Sequence, residues 1–213
     1  MRHKRALKNS IYSEISRVAK AISNPNRLEI LDFIANGAKS VEDIALQTGI
    51  SIANASQHLQ TLKKERLVKI AKKGNRVFYS LVSVEVYTAW KSLRDLTFSV
   101  SPHLEKIMAE IRKSFDYEKP IALSEIRERN DIYLLDVRPL EEYEKNHIPN
   151  ATSIPLEELS KRLGEIPKDK LVVTYCRGRF CLIADEAVKV LQANGYHAQK
   201  IAESVLDYQM TIE

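Results

Sequence analysis

The sequence predicts two unlike domains in one chain of 213 residues. The first is an α+β winged helix-turn-helix, and the second is an α/β domain with a parallel sheet. Three observations carry this. In the first half, helical periodicity, a glycine turn, a further helix and a basic hairpin follow in order. In the second half, strand-like apolar runs alternate with helical segments. Charge divides the same way, with +9 over residues 1–116 and −4 over residues 117–213, within a net +5. The predicted domains are therefore 1–116 and 117–213, and only the basic one is suited to a polyanion.

Asn24 is placed to cap a helix with Pro25 at its first position. Leu28, Leu31, Ile34 and Ala35 recur at helical spacing, and Gly37 ends the run. A second short helix spans Val41 to Gln47. Thr48-Gly49-Ile50-Ser51 is a tight turn in which Gly49 permits positive φ. A third helix runs from Ile52 to about Arg66, with Ala55, Leu59 and Leu62 on its buried stripe.

Val68 to Ala71 and Val77 to Leu81 then alternate like strands, joined by Lys72-Lys73-Gly74-Asn75-Arg76. A hairpin directly after a recognition helix is a wing, and Lys72, Lys73 and Arg76 would lie along phosphates. The third helix offers Ser51, Asn54, Ser56, Gln57 and His58 to base edges in a major groove. His58 also fits a half-buried helix histidine, and the lysines fit solubilising turn residues. The order of the elements is what favours double-stranded DNA.

Residues from about Tyr12 to Leu96 resemble the ArsR/SmtB family of bacterial winged-helix repressors. The matching runs are Ser56-Gln57-His58-Leu59-Gln60-Thr61-Leu62-Lys63-Lys64-Glu65-Arg66-Leu67-Val68 and Gly74-Asn75-Arg76-Val77-Phe78-Tyr79-Ser80-Leu81, with Leu28-Glu29-Ile30-Leu31 upstream. The resemblance implies a homodimer paired through the first and last helices, about Ser10 to Ile22 and about Val84 to Phe115. Val86, Trp90, Leu93, Leu96 and Ile107 would supply the apolar surface, and the dimer would read a palindromic operator. Metal-sensing members carry cysteines in the second or third helix, or His and carboxylate sets in the last. This chain has no cysteine before position 176. His103 with Glu105 falls short of the three or four ligands a tetrahedral metal takes, so no metal site is expected.

In the second half, Ile132 to Val137 reads as a buried strand and Glu141 to Lys145 as a helical turn. His147 to Ala151 reads as a loop. Leu171 to Tyr175 is a further strand, and a helix follows from Leu182 to Asn194. Between them lies Cys176-Arg177-Gly178-Arg179-Phe180-Cys181, which holds both cysteines of the chain. A thiol at a strand's end, facing a helix N-terminus and flanked by arginines, is expected to have a lowered pKa and be reactive.

Residues 120–208 resemble the rhodanese domain. The resemblance rests on Leu135-Asp136-Val137-Arg138 with Glu142-Tyr143, on His147-Ile148-Pro149-Asn150-Ala151 with Ile154-Pro155-Leu156, and on Tyr175-Cys176. It implies that Cys176 takes a sulfane sulfur as a persulfide, with the backbone from Arg177 to Leu182 cradling the anion. Asp136, Arg138, Glu142 and His147 would be structural, with Arg138 paired to Glu142. Asn146 and Asn150 stand where many members have glycine, as residues tolerant of positive φ. Cys181 ends the loop where relatives often have a cationic or hydroxyl residue. The Gly-Gly-Trp segment usual after the final strand is replaced by Ala202 to Tyr208. Cys181 reads either as a resolving thiol or as a small packing residue.

No apolar run approaches the ~20 residues of a membrane span. The basic N-terminus has no apolar signal core behind it. The expectation is a cytoplasmic protein with no membrane partner and no cofactor. Two cysteines in one loop are not the disulfide framework of a secreted protein. The leading reading is a DNA-binding regulator, a repressor, whose second domain senses or processes sulfane sulfur, oxidants or thiols through Cys176. A sulfurtransferase with a helix-turn-helix appendage and a thiol-based arsenite sensor stay open beside it.

Overall fold

The computed structural model describes residues 2–115, 119–126 and 129–211. The expected domain boundary near Tyr117 lies outside the described residues. The chain forms two compact units, Met1–Leu96 and Thr97–Glu213.

The first unit contains α1 (Arg2–Ile22), α2 (Pro25–Ala35), β1 (Lys39–Ser40), α3 (Val41–Thr48), α4 (Ile52–Lys64), β2 (Val68–Lys73), β3 (Arg76–Leu81) and most of α5 (Val84–Val100). Asn24 caps α2 by accepting the Arg27 N–H, with Pro25 in the first turn. Ser40 and Asp43 form a reciprocal capping box on α3, and Gly49 ends that helix at φ 67°. Ile30, Leu31, Ile34, Ile44, Ala55, Leu59 and Leu62 are fully buried and form the core on which α4 sits. β1, β3 and β2 make an antiparallel sheet in that order.

Three expectations change here. α1 begins eight residues before Ser10, because residues 2–9 contain no helix breaker. The strands of the hairpin extend to Lys73 and Arg76, which pair across a two-residue Gly74-Asn75 turn. Lys72, Lys73 and Arg76 are thus strand-end residues, with Gly74 at φ 58°. The single long helix expected over 84–115 is two helices. Ser101 accepts the Leu104 N–H, and Pro102 takes the first position of the next helix.

The second unit takes in the last turn of α5 and α6 (Pro102–Phe115), α7 (Leu123–Ile126), β4 (Ile132–Asp136), α8 (Leu140–Lys145), β5 (Thr152–Ser153) and α9 (Leu156–Leu159). A 3-10 turn (Leu163–Glu165), β6 (Leu171–Tyr175), α10 (Ile183–Ala193), β7 (Ala198–Lys200) and α11 (Val205–Gln209) complete it. The sheet is parallel throughout, in the order β5-β4-β6-β7. Both faces are covered, as parallel sheets require. Leu135, Val172 and Cys176 face one core with α10, while Leu134, Val173 and Tyr175 face the other with α7 and α11. Alternation along β6 therefore delivers Cys176 to the α10 side at the carboxyl end of a central strand, where open α/β sheets bind ligands.

Candidate functional sites

The first site is the exposed face of α4 with the hairpin. Gln57 is exposed near the start of α4, and Lys72, Lys73 and Arg76 are exposed at the hairpin end. Asn54 and Ser56 are half-buried beside them. Ser51 is the helix N-cap and accepts the Asn54 N–H at 3.2 Å. His58 Nε2 lies 3.2 Å from Asn26 Nδ2, so its ring is tied to α2. Burial, and then the Arg27 charge, hold its pKa below the usual histidine value. Of the five residues expected at base edges, Ser51 and Gln57 are exposed, and His58 is tied to α2. The sequence reading missed Ile52, at the start of α4, and Leu46, on α3, large apolar side chains that are 55% and 86% exposed. Their apolar character led them to be passed over, although exposed aliphatic groups can meet thymine methyls.

The surface expected for pairing is also partly redrawn. Val86 and Trp90 are buried inside the first unit, and Trp90 Nε1 donates to Asp32 Oδ1 at 2.8 Å. Leu93 and Leu96 on α5 are exposed, as are Leu7, Ile11, Tyr12 and Ile15 on α1. In the second unit Ile107 is exposed on α6.

The second site is the cysteine loop. Gly178 adopts φ 123°, and its carbonyl accepts the Cys181 N–H at 3.1 Å, curling the chain back on itself. Cys176 is 2% exposed, Cys181 is half-buried, and both are free thiols. The two thiols lie close enough that each shifts the other's acidity. Cys176 Sγ also lies 3.5 Å from the Cys181 carbonyl, to which it donates. The Ala184 N–H points to the Cys176 sulfur, and the Arg177 and Ile183 N–H groups point to the Cys181 sulfur. α10 has no side-chain cap at Leu182. The two sulfurs thus satisfy donors that a helix N-terminus leaves open.

This arrangement reverses the expected acidity of Cys176. Burial pushes its thiol well up, and the neighbouring Cys181 adds to the rise. Cys181 is the acidic member. The Cys176 hydrogen bond, the Arg177 and Ile183 N–H groups and the Arg177 charge hold it at about 7 despite burial. The strand-end position was legible in the sequence, but its depth was not.

The arginines are also committed differently. Arg138 is buried and pairs with Asp136 (Nη2 to Oδ2 2.6 Å, Nε to Oδ1 2.9 Å), and it donates to the Asn146 carbonyl at 2.7 Å. The two-pronged partner of Glu142 is Arg177, correcting the expected Arg138 pair. Arg179 stands over the Phe98 ring, 4.6 Å from its centroid, and Phe180 stacks on the same ring at 6.0 Å. His147 stacks on Tyr143 and hydrogen-bonds the Tyr143 carbonyl through Nδ1 at 2.9 Å, which bolts the loop down. Asn150 takes positive φ (65°), but Asn146 is extended at φ −170°.

A buried ion pair, Lys200 Nζ to Asp185 Oδ2 at 2.5 Å, went unread. Its charge reaches Cys176. The helical register of Asp185 with Val188 was the available signal, since it sets the carboxylate on the buried face of α10. Among the described residues, no group of three or more His, Cys, Asp or Glu is placed to hold a metal. No described helix is long and apolar enough to cross a membrane.

A winged helix-turn-helix unit is followed by a parallel α/β unit with a cysteine pair in the loop after a central strand, the architecture of a two-domain regulator. Residues 24–69 match the family of bacterial regulatory proteins described as arsR, and residues 119–207 match the rhodanese-like domain. The HTH-type transcriptional regulator Rv0324 of Mycobacterium tuberculosis is 34% identical over 206 residues, covering 95% of this chain and 90% of its own. A sulfurtransferase of Allochromatium vinosum is 38% identical over 52 residues, 24% of this chain and about half (49%) of that protein. The homodimeric winged helix-turn-helix domain Mb0332 of Mycobacterium bovis is 33% identical, with TM-score 0.43, covering 45% of this chain and 89% of that one. The chain belongs to the arsR family of transcriptional regulators and carries a C-terminal rhodanese-like domain.

Proposed function

We propose that the chain is a dimeric repressor that binds a palindromic operator through residues 1–116 and senses reactive sulfur through residues 117–213. The observation that carries this reading is the pair of free thiols in one loop, with Cys176 Sγ 3.5 Å from the Cys181 carbonyl and Cys181 held at about 7 beside a buried Cys176. In the operator complex, Gln57 and Asn54 read base edges while Lys72, Lys73 and Arg76 lie along phosphates. The exposed apolar residues of α1 and α5 pair two copies.

The chemistry follows from the pair. The Cys181 thiolate accepts the Cys176 proton as Cys176 attacks a terminal sulfur of a polysulfide. One S–S bond breaks, the shortened polysulfide leaves, and Cys176 becomes a persulfide. Cys181 then loses its proton to solvent and attacks Cys176 Sγ, the inner sulfur of the persulfide. Hydrogen sulfide leaves, and a Cys176–Cys181 disulfide forms. The net result is a dithiol oxidised to a disulfide and one sulfane sulfur reduced to sulfide.

The other reading is sulfur transfer to a second thiol with turnover, favoured by the 52-residue likeness to the Allochromatium vinosum sulfurtransferase. Counting sulfide separates them. With polysulfide and no added thiol, the sensor releases one sulfide per dithiol and stops. Sustained consumption of thiosulfate or polysulfide with a thiol acceptor overturns the sensor reading in favour of the enzyme.

A further inference from the structure

The turn between the two cysteines has a tip made of Arg179 and Phe180, and both side chains close on one ring. Phe98 lies in the last turn of α5, within the second compact unit. Its ring stacks on Phe180, with centroids 6.0 Å apart and planes 11° apart. On the same ring, the Arg179 guanidinium carbon is 4.6 Å from the centroid. A stacked aromatic and a cation on one ring each add attraction that depends on geometry. The turn is set by Gly178 at φ 123°, where an added Cβ would stand 3.4 Å from Ser204 Cβ.

We infer that Phe98 is the residue through which the oxidation state of the cysteine loop reaches α5. A disulfide needs Cα atoms within about 7 Å and one S–S torsion. In the reduced loop the Cys181 N–H is held by the Gly178 carbonyl, and both sulfurs accept N–H groups from the start of α10 or the loop. Joining the sulfurs takes away those acceptors and re-aims the four residues between them, Arg177 to Phe180. Arg179 and Phe180 form the tip of that turn, so their clamp on Phe98 changes with it.

α5 is one unbroken helix from Val84 to Val100. Phe98 shares a stripe at four-residue spacing with Arg94 and Trp90, both of which are buried. Trp90 in turn holds Asp32 of α2. A change in the last turn of α5 therefore acts on a helix whose earlier turns are built into the winged-helix core. This path needs no transmission through residues 116–118.

The inference rests on the sulfur-sensing reading, and the test separates the two. Full-length wild type, Phe98→Ala, Phe98→Leu and Phe98→Tyr are treated with inorganic polysulfide. Operator affinity is measured before and after, and mass spectrometry measures the Cys176–Cys181 link. Wild type and Phe98→Tyr should lose affinity by a factor within the usual coupling range of about 5- to 150-fold. Phe98→Ala and Phe98→Leu should form the same link with less than about a twofold change, since a coupling below that is under ~0.5 kcal/mol. Variants that respond as wild type does would overturn the role of Phe98 and leave the sensor standing. A linked wild type with unchanged affinity would overturn the sensor itself. Loss of operator binding in untreated Phe98→Leu, which keeps the helix and its apolar bulk, would make Phe98 a folding residue and overturn the relay.

Discussion

Arg177 grips Glu142 with both arms of its guanidinium, Nη2 to Oε1 at 2.8 Å and Nε to both carboxylate oxygens at 3.1 Å. Glu142 comes from α8, so this pair ties the first residue of the cysteine loop to a neighbouring helix. It also neutralises much of the positive charge that would act on the thiols.

That neutralisation can be removed. Glu142→Gln keeps the size of the side chain and deletes its charge. Arg177 then acts unopposed on the Cys181 thiolate, and a nearby positive charge favours the charged form of a thiol. The alkylation midpoint of Cys181, about 7 in wild type, should move lower. An unchanged or higher midpoint would mean that the backbone N–H groups alone set the acidity.

The two thiols should differ in rate. At pH 7 a thiol of pKa about 7 has roughly fifteen times the thiolate of an ordinary cysteine near 8.5. Its lower basicity costs about fivefold in nucleophilicity, leaving roughly a threefold advantage. Peptide mapping after brief iodoacetamide treatment should find Cys181 labelled first. In Cys181→Ser, Cys176 should label more slowly than a free thiol, because burial raises its pKa. First labelling at Cys176 would contradict this.

Arg138 and Asp136 form a buried ion pair in the second unit. Both are essentially sealed from solvent. Arg138→Met leaves Asp136 as a buried charge without its main partner, a loss of about 3–5 kcal/mol. Urea unfolding of the full chain should show that loss in the transition of the second unit. A loss under about 1 kcal/mol, the size of an exposed pair, would contradict the burial argument.

At Gly178, φ is 123° and an added Cβ would stand 3.4 Å from Ser204 Cβ. Gly178→Ala should cost about 1–3 kcal/mol, because side chains avoid this backbone region. Retention of wild-type stability would show that the loop can relax.

Much of the frame was legible in the sequence because local patterns set it. The Asn24 cap, the Gly49 turn, the α4 stripe of Ala55, Leu59 and Leu62, and the apolar strand before Cys176 all follow from spacing or φ preference. The strand-end position of both cysteines was equally plain. Their charge was not, because burial of Cys176 and the aim of individual N–H groups are tertiary facts. The partners of Arg177 and Arg179 were also beyond reach, since each is chosen by proximity across the fold. Asp136 is two residues from Arg138, while Glu142 is 35 residues from Arg177. The break of the last helix at Ser101-Pro102 was readable, and was masked by continuous apolar periodicity on either side.

The central claim is that one covalent event at the cysteine pair changes DNA affinity. Its most direct measurement is a fluorescence anisotropy titration of a labelled operator duplex. Wild type and Cys176→Ser are compared at one salt concentration, before and after inorganic polysulfide, since phosphate contacts make affinity strongly salt-dependent. The account predicts weaker binding for treated wild type, reversal by dithiothreitol, and no change in Cys176→Ser. Equal affinities for treated and untreated wild type, with the Cys176–Cys181 link confirmed by mass spectrometry, would contradict it.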